Sequence, residues 1–236
     1  VAVINADDRY AAVWRQMAGH HPVRSFGIEH AADVRAAVHQ HGLETLLALT
    51  APEGNAEFRL PVPGRHNARN AVAAAAACLA AGLPLAAVVA GLERFSGVKG
   101  RLQVRVGRNG AVVLDDTYNA NPDSVRAGIE VLAATIGRKI LVLGDMGEIG
   151  EASGQYHDEI GGYAKSQGVD LLFGIGDACQ QAVRNFGEGA RHFSDIDKLI
   201  AAVNRELGPE TTVLVKGSRF MKMERVADAI VSGEKN

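Results

Sequence analysis

Polar side chains that could bind a nucleotide or a reacting carboxylate follow one apolar run of the chain. After Leu114 the sequence reads Asp-Asp-Thr-Tyr-Asn-Ala-Asn over residues 115–121. A tight turn needs one or two such residues, not six. A carboxylate here could accept hydrogen bonds from ribose hydroxyls, as in dinucleotide sites. The simpler alternative is local structure, with Asp123 and Ser124 capping the next helix.

Two more segments have residue types suited to polar or anionic ligands. Glycines at 144, 147 and 150 allow close backbone approach around Asp145 and Glu148. Their spacing matches neither a Gly-Lys-Ser/Thr phosphate loop nor GxGxxG. The segment 215–219, with Lys216, Ser218 and Arg219, could hold an anion at a helix start. For both segments, an ordinary turn or a capped helix start is the alternative.

Asn67 and Asn70 lie three residues apart after a Pro-Gly break, so they share one helical face. Their carboxamides offer donors and acceptors, which suits the edge of a nucleotide base. The alternative is that Asn67 is an N-cap and Asn70 a first-turn polar residue. Further along, Arg101 could reach a phosphate with two hydrogen bonds, or it could be a solvated linker charge.

Several common mechanisms have no support in this sequence. It contains no HExxH, and its eight histidines show no zinc-ligand spacing. It contains no GxSxG nucleophile turn. Cys78 lies in an alanine-rich segment and is interpreted as a core residue. The sequence therefore predicts no metal ligands and no catalytic cysteine.

The elements that position these residues follow from the hydrophobic pattern. From about residue 103, β-rich runs alternate with amphipathic helical segments, which predicts a parallel sheet with helices on both faces. Ligand sites in such sheets lie beyond the carboxyl ends of the strands. The predicted strands are 111–115, 139–143, 170–174, 190–193 and 211–215, and the predicted helices are 123–135, 153–167, 177–186, 195–207 and 220–231.

The pattern before residue 97 is different. A strand at 1–6 and an extended run at 23–28 flank a helix capped by Asp7 and Asp8. Three apolar runs between residues 33 and 62 are separated by turn signals, which predicts an antiparallel meander. Two helices follow, from about Asn67 and over 85–95. We therefore expect a partial α+β domain over 1–97 and a complete Rossmann-like domain over 98–236.

Composition limits the possible partners. The 236 residues carry 25 basic and 27 acidic side chains, a net charge of −2, which argues against nucleic acid or an anionic membrane surface as the main partner. Apolar residues make up 47% of the chain, as in ordinary globular proteins. The two cysteines form no CxxC pair, which favours a cytoplasmic location. A strand at Val1 suggests a sequence cut inside a domain.

Taken together in order, five motifs resemble one family, the Mur ligases. The motifs are GRHNARNA, GRLQ, DDTYNANPDS, LGDMGEIG and VKGSRFMKME, and the resemblance extends from about Val1 to Ile230. Members of this family have an N-terminal UDP-binding domain, a central ATPase domain and a C-terminal Rossmann-like domain. This chain resembles the second part of the central domain followed by the whole C-terminal domain.

The resemblance implies an activity and its cofactors. The YNANP-type and LGDM-type turns are typical of the member that uses ATP and Mg²⁺ to phosphorylate the terminal carboxylate of UDP-MurNAc-tripeptide. The amine of D-Ala-D-Ala then attacks the acyl phosphate, giving UDP-MurNAc-pentapeptide, a precursor of peptidoglycan. Preorganised donors and cations stabilise the charge that develops in such reactions.

The resemblance also implies roles for individual residues. Asn67 and Asn70 match residues near adenine, Asp116 matches a ribose ligand and Tyr118 lies beside it. Arg101 matches an arginine at the domain junction that reaches ATP. Arg101 and Lys216 are the candidate catalytic residues. The contacts implied for the peptide substrates are made by Asn119, Asn121, Lys216 and Ser218.

Some features of the family are missing from this sequence. It has no Gly-Lys-Thr phosphate loop, and the Mg²⁺ ligands are expected upstream of Val1. We therefore expect the chain alone to be inactive as a ligase. The alternatives are another Mur ligase, a folylpolyglutamate-type ligase, or a binding module without catalytic activity. Oligomeric state is left open, and so is the choice of diaminopimelate or lysine as the third residue of the tripeptide.

Overall fold

A computed structural model describes residues 1–232, which form two compact units, Val1–Ser96 and a second unit beginning at Gly97. The first unit contains a five-stranded sheet with the spatial order β1-β2-β3-β4-β5. Strands β1, β2 and β3 pair in parallel, whereas β3, β4 and β5 form the predicted antiparallel meander. The strands are Ala2–Asn5, Val23–Gly27, Val34–His41, Glu44–Ala51 and Gly54–Leu60, and the helices are Ala11–Ala18 (α1), Arg65–Ala80 (α2) and Leu85–Glu93 (α3).

Helix α2 covers the first sheet because its small side chains allow close packing. Ala68, Val72, Ala75 and Ala76 are fully buried in a core with the sheet residues Leu47 and Leu49. The helix starts two residues earlier than predicted, since Gly64 takes a positive φ of 99° and turns the chain into it. This alanine-rich face fixes the position of the helix start, where Asn67 and Asn70 lie.

The prediction that Asp7 and Asp8 cap α1 is wrong. The N-cap of α1 is Tyr10, and no side chain caps the helix. Instead, the Asp7 carboxylate accepts hydrogen bonds from the backbone N–H groups of Ile28, Glu29 and His30, at 2.7, 3.1 and 2.8 Å. Asp7 therefore joins the end of β1 to the turn after β2.

The second unit contains a six-stranded sheet with the spatial order β10-β9-β8-β11-β7-β6. All its strands are parallel except β6, which pairs antiparallel with β7 at one edge. The strands are Gln103–Val106 (β6), Val112–Asp116 (β7), Arg138–Gly144 (β8), Leu171–Ile175 (β9), Ala190–Phe193 (β10) and Thr211–Lys216 (β11). The helices are Pro122–Ala133 (α4), Ser153–Ser166 (α5), Cys179–Phe186 (α6), Ile196–Glu206 (α7) and Glu224–Ile230 (α8).

The central strands of this sheet are buried on both faces, as expected for a parallel sheet. Val113, Val142 and Val213 face a core that α7 and α8 complete. The alternate residues Leu114 and Leu214 are also fully buried, so they pack on the opposite face. The predicted α/β class, with a mostly parallel sheet between two helical layers, is confirmed.

Two details of this unit differ from the prediction. Strand β6 was not predicted, and the last helix begins at Glu224 rather than at residue 220. A 3₁₀ turn over Arg219–Met221 precedes this helix, and Lys222 has a left-handed φ of 50° that ends the turn. Among residues 1–232, no helix is both long and apolar enough to cross a membrane.

Candidate functional site

Three turns at the carboxyl ends of β7, β8 and β11 are connected through Ser218. The backbone N–H of Ser218 donates to the Asp145 carbonyl at 3.0 Å. Its hydroxyl accepts from the N–H of Gly147 at 2.7 Å and donates to the Ala120 carbonyl at 3.1 Å. Ser218 is only 3% exposed, and both of its hydroxyl bonds join turns to one another. The three segments that the sequence analysis singled out therefore form one connected surface.

A buried ion pair supports the same surface. The Lys216 ammonium lies 2.5 Å from Oδ2 of Asp116 and donates to the Asn119 carbonyl at 3.0 Å. The other oxygen of Asp116 accepts from the N–H of Leu102 at 3.0 Å. Lys216 is 2% exposed, and its ammonium donates to both Oδ2 of Asp116 and the Asn119 carbonyl. Asp116 thereby ties the segment that follows Arg101 to the end of the sheet.

The neighbouring carboxylate, Asp115, is fully buried, and its partners are side chains that hold elements of the fold together. It accepts a hydrogen bond from the Thr117 hydroxyl at 2.7 Å and pairs with Arg105 at 3.1 Å. Arg105 also pairs with Asp228 at 2.6 Å. Burial by itself lowers the Arg105 pKa, but the hydrogen bonds and charges of Asp228 and Asp115 outweigh it and raise that pKa. This network fixes β6 against β7 and α8.

The aromatic and amide residues of the 117–121 turn are more exposed. The guanidinium carbon of Arg101 lies 4.2 Å from the ring centroid of Tyr118, a cation–π contact, and Tyr118 is 47% exposed. Asn119 accepts a hydrogen bond from the Ala120 N–H at 2.8 Å. Asn121 is the N-cap of α4, where it and Ser124 bond reciprocally as a capping box. The N-cap is therefore Asn121 and not Asp123 or Ser124, as the local alternative predicted; Ser124 contributes from the third helical position, and Asp123 lies in the first turn.

A cavity of about 570 Å³ opens beside these turns. It contains one acidic side chain, Glu148, and two basic ones, Arg219 and Lys222. Its lining is Tyr118, Asn119, Gly147, Glu148, Ser218, Arg219, Phe220 and Lys222. Four of these residues come from the 215–219 and 144–150 segments that the sequence singled out, whereas Phe220 and Lys222 were not among the predicted site residues.

In the first unit, the structure places Asn67 inside the first turn of α2 rather than at its cap. The Asn67 amide donates to the Pro63 carbonyl at 2.7 Å, and Gly64 is the N-cap. The N-cap alternative for Asn67 is therefore wrong. Asn70, one turn further, is exposed. The carboxamide of Asn70 and the acceptor oxygen of Asn67 remain available to a ligand.

One group of three potential metal ligands occurs in the described residues 1–232, and hydrogen bonds account for it. Atoms of Asp145, His157 and Cys179 lie within 4.8 Å of one another. The Nε2 of His157 accepts from the Met146 N–H at 3.0 Å, and its Nδ1 lies 2.7 Å from the Ser153 carbonyl. Burial, with the nearby charge of Asp145, raises the pKa of the Cys179 thiol well above its ordinary value. A neutral thiol and a fully bonded imidazole do not favour a metal ion.

The same cluster positions α6. The Asp145 carboxylate accepts from the backbone N–H of Cys179 at 2.8 Å, at the start of that helix. The Cys179 thiol donates to the Leu143 carbonyl at 3.3 Å. The proximity of His157 and Cys179 was not predictable from the sequence, because the two residues are far apart in the chain and follow no ligand spacing.

Comparison with known families identifies the class of protein. Residues 100–219 match the Mur ligase glutamate ligase domain, and residues 1–78 match the Mur ligase middle domain. The chain therefore belongs to the Mur ligase family, and the resemblance drawn from the sequence motifs is confirmed.

Two curated relatives show which member of the family this chain is similar to. The UDP-N-acetylmuramoyl-tripeptide–D-alanyl-D-alanine ligase of Haemophilus influenzae is 38% identical over 234 residues, covering 96% of this chain and 50% of that protein. The Escherichia coli protein of the same name is 37% identical over 237 residues, covering 98% of this chain and 52% of that protein. The chain thus spans about half the length of the curated relatives it matches.

Solved structures agree with this assignment. A crystal structure of MurF from Acinetobacter baumannii superimposes with a TM-score of 0.88 at 33% identity, covering 97% of this chain and 51% of that one. A MurF ligase from Thermotoga maritima in complex with ADP has a TM-score of 0.82 at 23% identity, which shows a shared fold. A folylpolyglutamate synthase from the same organism, at 20% identity and a TM-score of 0.68, also shares the fold.

Proposed function

We propose that this chain is the part of an ATP-dependent ligase that joins D-Ala-D-Ala to UDP-MurNAc-tripeptide. The observation that carries the proposal is the alignment of nearly the whole chain, at 37–38% identity, with two curated ligases of that name. Folylpolyglutamate synthase shares only the fold, so it does not favour the alternative substrate class. The ADP in a MurF relative supports nucleotide use in this family.

We further propose that residues 1–97 are the C-terminal part of the central ATP-binding domain and residues 98–236 the C-terminal domain. The matched ranges 1–78 and 100–219 support this division. We place the reaction in the cytoplasm, because Cys78 and Cys179 are both free thiols.

The reaction requires activation because a carboxylate is a poor electrophile. Transfer of the γ-phosphoryl group from ATP gives an acyl phosphate. The free amine of the dipeptide attacks its carbonyl carbon, and phosphate leaves as the amide forms and the amine loses a proton. Mg²⁺ would neutralise phosphate charge in this reaction, and we assign none of its ligands to this chain.

The proposed roles of the chain's own residues follow from their surroundings. Asn67 and Asn70 present carboxamides suited to the adenine edge. Asp116 is the proposed ribose ligand, and its ion pair with the Lys216 ammonium holds that carboxylate in place. Arg101, held over the Tyr118 ring, is proposed to contribute positive charge to the phosphates.

Contacts with the peptide substrates remain proposals for four residues. Asn119 and Asn121 lie on the exposed turn after β7, and the Asn121 amide N–H groups are free of the helix cap. Lys216 and Ser218 support that turn from below. Both side chains are buried, so a substrate can contact them only by reaching beneath the exposed turn.

The test is a chimera in which this chain replaces the corresponding half of the Escherichia coli relative. We expect the purified chimera to convert ATP, UDP-MurNAc-tripeptide and D-Ala-D-Ala into pentapeptide, measured by phosphate release and product mass. The unmodified relative is the positive control, and circular dichroism establishes folding. A folded chimera that ligates glutamate or another amine instead of D-Ala-D-Ala would contradict the proposed substrate.

A further inference from the structure

A groove lined by one lysine and two arginines lies at the edge of the second sheet, on the opposite side from β6. It has a volume of about 340 Å³ and is lined by residues of strand β10 and helix α7. Arg191 of β10 and Lys198 and Arg205 of α7 contribute the charges, and we call this feature the basic groove. Within residues 1–232, no acidic side chain lines it, and none of its residues belongs to the turns after β7, β8 and β11.

Helix α7 places two of these charges along one wall. Lys198, Ala201 and Arg205 repeat at intervals of three and four residues, so they share one face of the helix. Lys198 and Arg205 are two turns apart, about 10 Å along the helix axis. On the other wall, the guanidinium carbon of Arg191 lies 5.2 Å from the Phe193 ring centroid. The charges are therefore distributed along the basic groove instead of meeting at one point.

The two charges on α7 are not paired within the described part of the chain, residues 1–232. The side chains of Lys198 and Arg205 make no hydrogen bond or ion pair there. The Asp195 carboxylate accepts hydrogen bonds from two backbone N–H groups of the first turn, at 2.8 and 3.0 Å. These bonds, and to a lesser extent the charge of Lys198, lower the pKa of Asp195. Glu206 is paired with Arg138 at 2.8 Å. The basic groove therefore keeps its positive charge.

Strand β10 has a neighbouring strand on one side only. It is the last strand of the sheet and pairs in parallel with β9. The Nε2 of His192 lies 2.8 Å from the Gly176 carbonyl, a hydrogen bond that fixes the end of the strand. An extended segment of another protein can lie along such an edge, because backbone and side-chain contacts then act together.

The spacing of the charges indicates the kind of ligand. A single phosphate or carboxylate group is too small to pair with cations about 10 Å apart along the helix. An extended peptide presents alternate side chains on one face, about 7 Å apart, so two or three acidic residues can follow the basic groove. Nucleic acid favours a larger basic surface, whereas this chain has a net charge of −2. An acidic peptide segment therefore fits best.

We propose that the basic groove docks an extended acidic segment of a partner protein, whose carboxylates pair with Arg191, Lys198 and Arg205. Phe193 and Ala201 line the same groove and provide apolar surface for small side chains between the acidic ones. The three cationic residues are exposed, so binding should be weak and should decrease as ionic strength rises. This docking surface does not depend on the proposed function.

The test is an amide chemical-shift titration of the whole chain with a capped seven-residue peptide in which threonine and glutamate alternate. We expect the amides of Arg191–Phe193 and of Lys198–Arg205 to shift, and the shifts to diminish when salt is added. The same peptide with glutamine in place of glutamate should cause no shift. No shift with the acidic peptide up to its solubility limit, or shifts confined to another surface, would overturn the proposal.

Paired substitutions test the contribution of the charges. Lys198→Gln with Arg205→Gln should weaken binding of the acidic peptide by roughly fivefold, the range for two exposed ion pairs. Lys222→Gln with Arg225→Gln is the matched control, since both residues are exposed, lie outside the basic groove and give the same change in net charge. The unfolding midpoints establish that both variants fold. Equal weakening in the two variants would show a general charge effect and refute docking at the groove.

Three further titrations distinguish other occupants. Inorganic phosphate that shifts the same amides at a lower concentration than the peptide would show a site for a compact anion. An eight-nucleotide oligothymidylate that binds more tightly than the peptide at equal ionic strength would show a nucleic-acid surface. Shifts of the same amides with protein concentration alone would show a second copy of this chain. Each of these results would overturn the proposed acidic segment.

Discussion

At the scale of single residues, the pairing of Asp116 with Lys216 shows how the turn after β7 is supported from below. Lys216 is almost removed from water, the Asp116 side chain is 15% exposed, and both partners also bond to the backbone. Removing one partner of such a pair leaves an uncompensated charge, which costs more than the pair contributes to stability. The effect of a substitution therefore depends on which charge is left behind.

We expect Lys216→Met to lower the free energy of unfolding by about 2–4 kcal/mol, because Asp116 loses its cation while Asn119 loses a donor. Urea denaturation measures the change. Lys198→Met, at an exposed position of α7, is the control and should stay within about 0.5 kcal/mol. Equal effects of the two substitutions would show that the buried pair is not formed.

Asp7 gives a pH-dependent prediction. Burial alone raises its pKa, but hydrogen bonds from Ile28, His30 and Glu29 outweigh it, so the pKa lies below the usual 3.8. A carboxyl group with a lowered pKa stabilises the folded state above the unfolded pKa, and this contribution is lost as pH falls through the folded pKa.

Asp7→Asn should therefore destabilise the chain near neutral pH, by about 1–3 kcal/mol, and the deficit should shrink below pH 3.8. Urea midpoints of both proteins across this range measure it. The control is Asp8→Asn, which makes the same charge change. Asp8 accepts only one backbone hydrogen bond, from the Tyr10 N–H, so this substitution should lower the free energy of unfolding by less. A deficit that stays constant down to acidic pH would contradict the role of Asp7.

At the scale of elements, helices α5 and α6 approach each other through a glycine. A Cβ at Gly161 would clash with the carbonyl oxygen of Ala182, whereas Gly154 in the same helix faces open space. We expect Gly161→Ala to lower the free energy of unfolding by about 1–3 kcal/mol, because the backbone of α5 or α6 must move to admit the methyl group. Gly154→Ala should stabilise by roughly 0.5–1 kcal/mol. Thermal melting of the two variants tests this, and shifts in the same direction would refute the packing argument.

The start of α4 depends on one side chain. Asn121→Ala removes the acceptor for the Ser124 N–H and should cost about 1 kcal/mol, while Asn121→Asp keeps an acceptor and should restore most of it. Chemical denaturation distinguishes the two. If both variants were equally unstable, the amide group of Asn121 would have a role other than capping.

The helices and parallel strands were predictable because their periodicity is local. Strand β6 was missed because its alternating exposed and half-buried residues, Gln103–Val106, occupy the sheet edge and form no continuous apolar run. The parallel pairing of β1, β2 and β3 has no local signal either, since register depends on contacts distant in sequence. The start of α8 was misjudged because the 3₁₀ turn before it also spaces apolar residues helically.

The candidate site was predictable in its location but not in its connections. Polar turns after parallel strands must meet at one edge, which the structure confirms for the turns after β7, β8 and β11. The sequence does not show that Ser218 bonds to two other turns or that Lys216 is buried. These features arise from long-range packing, and so does the cavity that brings Glu148 and Lys222 together.

At the scale of the whole molecule, an apolar surface formed by β1 and α1 is exposed on the first unit. Strand β1 is the edge of its sheet, and α1 beside it has no buried residue. Trp14 and Met17 of α1 are exposed and border a cavity of about 500 Å³ with β1. Unpaired strand edges next to apolar side chains favour association between chains.

We expect the chain to self-associate at high concentration and Met17→Lys with Trp14→Glu to reduce this association. Trp14 is 45% exposed and Met17 is 72% exposed, so the double substitution should lower the unfolding midpoint less than a substitution in the core would. Sedimentation velocity over a concentration series measures the effect. Leu83→Lys, which alters an exposed apolar residue elsewhere in the unit, is the control. Equal suppression by the control would place the association on another surface.

The left-handed backbone of Glu148 and Lys222 bears on attempts to engineer this protein. Glycine adopts such φ values without steric cost, so glycine at either position would relieve backbone strain. The same replacement would delete a charge from the cavity. A laboratory selection for heat resistance alone would therefore enrich glycine at both positions, and the more robust proteins it delivered would have lost two charges from this cavity.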